Sequence, residues 1–305
     1  MKKKSIIIIT LIIIIISSLF IIPHLVTSDM TNNHISFNKT WEPEEFNIEA
    51  EKLFLKTEDN IKIMTYEVYE ENPKAAVIFI SGIQNPSVTY FFGHAEELQK
   101  EGYSSFLMEM RAHGESGGDT VSLGFKEYLD TKAVVEYIKN NPKYNDVPIV
   151  VFGLSMGGAT AINSIGEIPE IDGLISLSAY SSFEDVFHYY MVDMGLPKIL
   201  ADIQKPFVKM YTTFKFGFKS FNASPKQEIK KLNGRPALLM HSLEDSEIPY
   251  DNFLRIKNNA PNYIDTLIVE GDKHFIVEEK YALEPEKDKK YWRKILEFLD
   301  KNFNN

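Results

Sequence analysis

The sequence predicts an α/β fold: a mostly parallel sheet of eight strands flanked by helices, with a helical insertion after the sixth strand. Apolar runs of strand length alternate with helical patterns through most of the chain. The run at 75–80 is apolar throughout, as a strand buried on both faces must be. A third run, 149–152, stops abruptly at Gly153-Leu154-Ser155-Met156-Gly157-Gly158 and passes into small and helix-forming residues. That is a strand, a sharp turn and a helix, with a serine at the apex.

In chain order, Met1-Lys2-Lys3-Lys4 precedes an apolar stretch over 6–22, broken only by Thr10, Ser17 and Ser18. A spanning helix needs about 17–25 apolar residues, and the apolar part of a signal peptide is about 7–15 long. Residues 1–28 are therefore expected to be an uncleaved transmembrane anchor, with cleavage near Ser28 as the alternative. In either case the lysines stay inside and the rest faces outward. The chain has no cysteine, which excludes lipidation on a thiol and disulfides alike. Residues 29–51 are polar and irregular and read as a tether, and 52–303 have the size of one domain. A net charge of −10 argues against nucleic acid as a partner.

Segments 52–56 and 61–69 alternate apolar and polar residues around Glu58-Asp59-Asn60, as in an edge hairpin. Strands follow at 75–80, 104–110, 149–152, 174–178, 237–240 and 266–269. Helices are expected at 89–100, at 125–139, after the serine to about 166, and from 281 or 285 to 303. Residues 181–224 contain no strand pattern and read as short helices broken at Gly195-Leu196-Pro197 and at Pro206. Aromatics fill ten of these 44 positions, about twice the chain's 12%. Such an insertion at the active-site end suits a cap that walls a substrate, or one that merely packs on the body.

The G-x-S-x-G spacing has a physical reason. A nucleophile on so tight a turn has a strained backbone, and its neighbours two residues away must lack side chains for strand and helix to approach. Ser155 is the candidate nucleophile, and the Met156 N–H at the helix start is free for an oxyanion. Serine needs a base, and the base needs an orienting carboxylate. Of seven histidines, His24 and His34 fall in the anchor and tether, His94 in a helical pattern and His188 in the insertion. His113 follows the fourth strand and His241 ends one. His274, in Gly271-Asp272-Lys273-His274-Phe275 after the last strand, shares the sheet edge with the serine and is the candidate base. The acid comes from the loop 241–249, where Asp245 is the choice and Glu244 the alternative; Asp272 and Asp251 read as caps.

The order Ser155, Asp245, His274 and three further stretches resemble the α/β-hydrolases, in the group of lysophospholipase-like esterases and serine aminopeptidase-like hydrolases. Arg111-Ala112-His113-Gly114-Glu115-Ser116-Gly117-Gly118 resembles that family's R-x-H-G-x-S-G-G loop, whose histidine is structural. Gly271 to Phe275 resembles its G-x-x-H-F loop, and 238–249 its acid segment. The likeness covers about 52–303. It implies that the N–H of Ile83 completes the oxyanion hole, although Ser81-Gly82 stands where the family usually has His-Gly. It implies a hydrolase of carboxylic esters that needs no metal or cofactor, and an outward-facing, membrane-tethered enzyme with an aromatic cap favours lipid-like or acyl esters. Short peptides are the alternative substrate, and a non-catalytic binding protein on the same fold is the alternative from another class.

Overall fold

A computed structural model describes residues 2–84 and 86–304. In chain order the elements are α1 (Lys2–Thr31), β1 (Glu51–Lys56), β2 (Lys62–Val68), β3 (Ala76–Ile80), α2 (Phe92–Lys100), β4 (Ser104–Met108), α3 (Tyr128–Asn140), β5 (Ile149–Leu154), α4 (Met156–Glu167), β6 (Gly173–Leu177), α5 (Phe183–Asp193), α6 (Lys198–Phe216), α7 (Pro225–Glu228), β7 (Ala237–Ser242), α8 (Asp251–Lys257), β8 (Asp265–Val269) and α9 (Lys289–Phe303). The eight strands form one sheet in the order β1-β2-β4-β3-β5-β6-β7-β8. Strands β3 to β8 run parallel, and β1 and β2 add an antiparallel hairpin at one edge.

Side-chain alternation splits the apolar strands between two cores. Ile78, Ile80, Ile149 and Val151 face one side, where α3 and α4 lie. Val77, Phe79, Val150 and Phe152 face the other, against α2 and α9. The last helix shows why it docks there. Tyr291, Trp292, Ile295, Phe298, Leu299 and Phe303 recur every three to four residues and are all buried. The Asp288 carboxylate caps it by accepting from the Tyr291 N–H.

Arg111 fastens the hairpin to the body. Its guanidinium donates to Asp130 at 2.7 and 2.9 Å and to Asp59 at 2.7 Å. Both partners are remote in sequence, and Asp130 and Arg111 are buried.

Three local expectations are revised. The helix expected at 125–139 starts only at Tyr128, because the buried Glu127 carboxylate takes the amides of Ser122 and Gly124 and holds 122–126 as a loop. The helix at 89–100 opens as a tight 3-10 turn, Val88–Phe91, capped by Ser87. Pro206 does not break the insertion: α6 runs through it for 19 residues. An interior proline costs about 3 kcal/mol, but here it is exposed and removes one helical donor. Packing of α6 against α5 and α1 outweighs that local penalty.

Residues 32–50, expected as a tether, lie along the body. The Ile35 N–H donates to the Ala112 carbonyl at 2.7 Å, and the Trp41 N–H to Thr89 Oγ1 at 3.1 Å. Phe46 and Ile48 are buried in the α2–α9 core. α1 is the one helix among the described residues that is long and apolar enough to cross a membrane, over Ser5–Thr31.

Candidate active site

β5 delivers Ser155 to the carboxyl edge of the sheet, where α/β sheets place their sites. Ser155 has φ 57° and ψ −119°, a left-handed conformation rare for a residue with a side chain. It persists because the flanking glycines leave no choice of path. A Cβ at Gly153 would stand 2.0 Å from the Gly157 carbonyl oxygen, and one at Gly157 2.2 Å from that of Ile80. Strand, turn and helix are therefore in backbone contact. Ser155 is half-exposed between buried neighbours, and its Oγ has no hydrogen-bond partner among the described residues. It is the accessible atom of the turn.

The candidate base and acid, His274 and Asp245, come from the two loops beyond β8 and β7. The buried His274 places Nδ1 2.9 and 3.1 Å from the two oxygens of Asp245. Asp245 Oδ1 also accepts from the amides of Glu247 and Ile248 at 3.0 and 2.8 Å. Burial pushes the Asp245 carboxyl up, but the His274 hydrogen bond and the amide of Ile248 outweigh it and hold the group below its ordinary value. It therefore stays ionised. Glu244, the alternative, is exposed, and no hydrogen bond joins its carboxylate to His274 among the described residues. Asp272 ties the two loops together by accepting from the Ser246 N–H at 3.0 Å.

Two hydrogen bonds, through the end of β6, link the serine turn to the histidine loop. The Ser155 N–H donates to the Leu177 carbonyl at 2.8 Å, and the hydroxyl of the next residue, Ser178, donates to the His274 carbonyl at 2.6 Å. No hydrogen bond joins His274 Nε2 to Ser155 among the described residues; the ring nitrogen is 3.7 Å from a Glu247 carboxylate oxygen. Such contacts are often loose before substrate is bound. Gly82 lies against Ser155, since a Cβ there would be 3.6 Å from the serine Cβ. The amides of Met156 and Ile83 have no acceptor among the described residues.

Three further histidines have supporting roles, and His113 is structural, as the resemblance implied. His113 sits with Nε2 2.7 Å from the Ile83 carbonyl and Nδ1 2.8 Å from the Arg111 carbonyl, so it ties the loop after β3 to the loop after β4. Burial lowers its pKa and keeps it neutral. His241 Nε2 meets the Ile248 carbonyl at 2.8 Å and braces the acid loop. His94 is a core residue bonded to the Tyr291 hydroxyl at 2.9 Å. A groove of about 930 Å³ opens beside His274, lined by Trp41, Tyr90, Glu247 and Phe275 among others. Among the described residues, none from the insertion lines it. The insertion's aromatics instead divide between docking, as in the Phe125–Phe216 stack at 5.5 Å, and outward exposure, as at Phe214. The signal for Trp41 was only a large aromatic in a polar segment.

Glu109 lies beneath the loop after β4. It accepts from the Glu115 N–H at 2.8 Å and from the Ser87 hydroxyl at 3.3 Å. Burial nevertheless raises its carboxyl to about 7. A folded value above the ordinary one means that the fold binds this proton more tightly than the unfolded chain does. Its contribution is full below the unfolded value and is lost as pH rises to about 7. Urea denaturation of wild type and Glu109→Gln near pH 5 and near pH 8 should show the wild type losing up to about 3 kcal/mol more than the variant across that window. Equal pH dependence in the two proteins would contradict this.

Comparison with known proteins agrees with this architecture. Residues 71–215 match the family described as Serine aminopeptidase, S33. Protein bem46 of Schizosaccharomyces pombe is 26% identical over 220 residues, which cover 68% of this chain and 64% of that protein. Protein YqkD of Bacillus subtilis is 30% identical over 211 residues, covering 67% and 64%. The chain thus spans just under two thirds of the length of these two relatives. The Pyrococcus furiosus esterase Pf2001 superposes with a TM-score of 0.68 at 25% identity, over 90% of this chain and 98% of that one. With its strand order, its serine turn and these matches, the chain has the α/β-hydrolase fold, and its residues 71–215 resemble the serine aminopeptidase-like members.

Proposed function

We infer that the protein is a serine esterase that cleaves carboxylic esters with lipid-like or other acyl groups through an acyl-enzyme, held at the membrane by α1 with its catalytic domain outward. The observation that carries this reading is the Asp245–His274 pair together with the strained, accessible Ser155, whose turn is tied to the His274 loop through Leu177 and Ser178. In the mechanism, His274 Nε2 takes the proton of Ser155 Oγ as that oxygen attacks the ester carbonyl. The tetrahedral oxyanion lies between the N–H groups of Met156 and Ile83, a donor pair whose members are each worth about 10²–10³-fold in rate. His274 returns the proton to the leaving alcohol, and water, deprotonated by the same nitrogen, releases the acid. Asp245 keeps Nδ1 protonated, so that Nε2 is the basic nitrogen throughout. Trp41, Tyr90 and Phe275 give the adjoining groove aromatic walls suited to an acyl chain.

A second reading, hydrolysis of short peptides, has its own support. The matched family is described as an aminopeptidase, and Glu247 and Glu279 line the groove, where carboxylates suit a peptide's ammonium group. A panel of p-nitrophenyl esters of increasing chain length beside aminoacyl anilides separates the two. The ester reading expects turnover of esters with an optimum at medium or longer chains and little of the anilides. Turnover confined to the anilides would replace it with the peptidase reading.

A further inference from the structure

α6 carries an apolar stripe that is only partly covered. At about 100° per residue, Ile199, Leu200, Ile203, Phe207, Met210 and Phe214 fall within about 100° of its circumference. α1 seats on the middle of that stripe. The Phe20 and Phe207 rings are 5.3 Å apart, the His24 and Tyr211 rings 5.5 Å, and the Ser28 and Tyr211 hydroxyls 3.0 Å. Lys215 closes the series by donating to Asn32 at 2.7 Å. Residue numbers rise together along both helices, so α1 and α6 run parallel. The start of α6 therefore lies on the same side of the Phe20–Phe207 contact as the apolar run of α1. At about 1.5 Å per residue, Ile203 is about 6 Å and Ile199 about 12 Å beyond that contact.

There the stripe is bare. Ile199 is 75% exposed, Leu200 48% and Ile203 47%, with Met194 at 64% in the preceding turn. The apolar run of α1 is equally uncovered: Ile12, Ile13, Ile14 and Ile16 are exposed by about half. Nearby charges lie on the other flank of α6. Asp202 is 3.3 Å from Lys205 and 3.0 Å from the His188 ring, and Lys205 is 3.1 Å from Asp185. Lys198, at the tip, has a stem long enough for its ammonium to reach the headgroups.

We propose that the N-terminal part of α6 docks into the membrane surface beside α1, with Ile199, Leu200 and Ile203 among the headgroups and upper acyl chains. This rests on the reading of α1 as a membrane anchor. Lipid is the occupant because one stripe is continuous from the α1 contact to the bare residues, and because α1 itself enters the bilayer on that side. Lying parallel to α1, α6 enters end-on, so that Ile203 and Ile199 reach about 6 and about 12 Å beyond the Phe20–Phe207 contact. The insertion then serves as a second membrane contact, one that fixes the orientation of the domain that a single helix would leave free to swing.

The test exploits a chain without cysteine. Full-length Ile203→Cys and Ile199→Cys, each labelled with an environment-sensitive fluorophore, are reconstituted into vesicles of phosphatidylcholine and phosphatidylglycerol doped with spin-labelled lipid. Ile12→Cys, in α1, and Arg293→Cys, on α9 with its side chain 75% exposed, are the references. Labels at 203 and 199 should be blue-shifted and quenched by lipid spin labels near the headgroups, as Arg293→Cys is not. Quenching at 12 with none at 203 or 199 would overturn the docking and leave the anchor standing. No quenching at 12 would remove the anchor and the docking together. Shielding at 203 that grows with the protein-to-lipid ratio, without lipid quenching, would assign the face to a second copy of the chain and so also overturn it.

Discussion

Ser155→Ala should abolish ester turnover while leaving the fold unchanged. The expected loss in kcat is about 10⁴-fold or more, because a serine, histidine and carboxylate acting as a unit fail together when the nucleophile goes. The variant is a clean test for structural reasons. The Ser155 hydroxyl has no hydrogen-bond partner among the described residues, so its removal leaves no buried group unsatisfied. The turn itself is held by the Ser155 N–H to the Leu177 carbonyl and by the Ala159 N–H to the Ser155 carbonyl, both untouched by the change. The urea midpoint should therefore move little. Steady-state kinetics beside that midpoint check the result. Retention of a tenth or more of the rate, on the order of 1.4 kcal/mol in barrier, would place the nucleophile elsewhere.

Gly157→Ala should do the opposite, and destabilise the fold as well as removing the activity. A Cβ at this position would stand 2.2 Å from the Ile80 carbonyl oxygen and 2.3 Å from that of Ser81. Both are backbone atoms at the end of β3, so no side-chain rotation relieves the clash. α4 and β3 must move apart by about an ångström, which carries Ser81-Gly82-Ile83 away from Ser155. Overpacking against rigid backbone typically costs about 1–3 kcal/mol and sometimes more, and the position argues for the upper end. Gly82→Ala is the contrast. Its Cβ would meet only the Ser155 Cβ at 3.6 Å, an ordinary contact, so stability should change by less than about 1 kcal/mol. Equal denaturation midpoints for the two variants would contradict this account of the turn.

These two expectations rest on the part of the chain that is most local in sequence, which is why the serine turn was legible there. Its strand, its glycines and its helix lie within 20 residues, and β-branched runs such as 149–151 mark central strands without help from elsewhere. The His274 loop was legible for a similar reason, since it follows the last strand directly. What decided between Glu244 and Asp245 was tertiary: two loops from different strands, joined by Asp272 and Ser246, turn one carboxylate inward and leave its neighbour in water. The partners of the supporting residues were hidden for the same reason, although the structural role of His113 was expected. His113 reaches Ile83 across 30 residues, and Trp41 reaches the groove from a segment whose polarity suggested a tether. Pro206 misled in the other direction. The local rule reads proline as a helix break, and packing on both sides of α6 overrode it.

The central claim is that Ser155 is a nucleophile activated by His274 and Asp245. The most direct measurement treats the folded full-length protein with a fluorophosphonate and maps the adduct by mass spectrometry. The account predicts one phosphonylated site, on Ser155, absent in Ser155→Ala and formed much more slowly in His274→Gln. A folded protein that takes no label, or takes it on another residue, would contradict it.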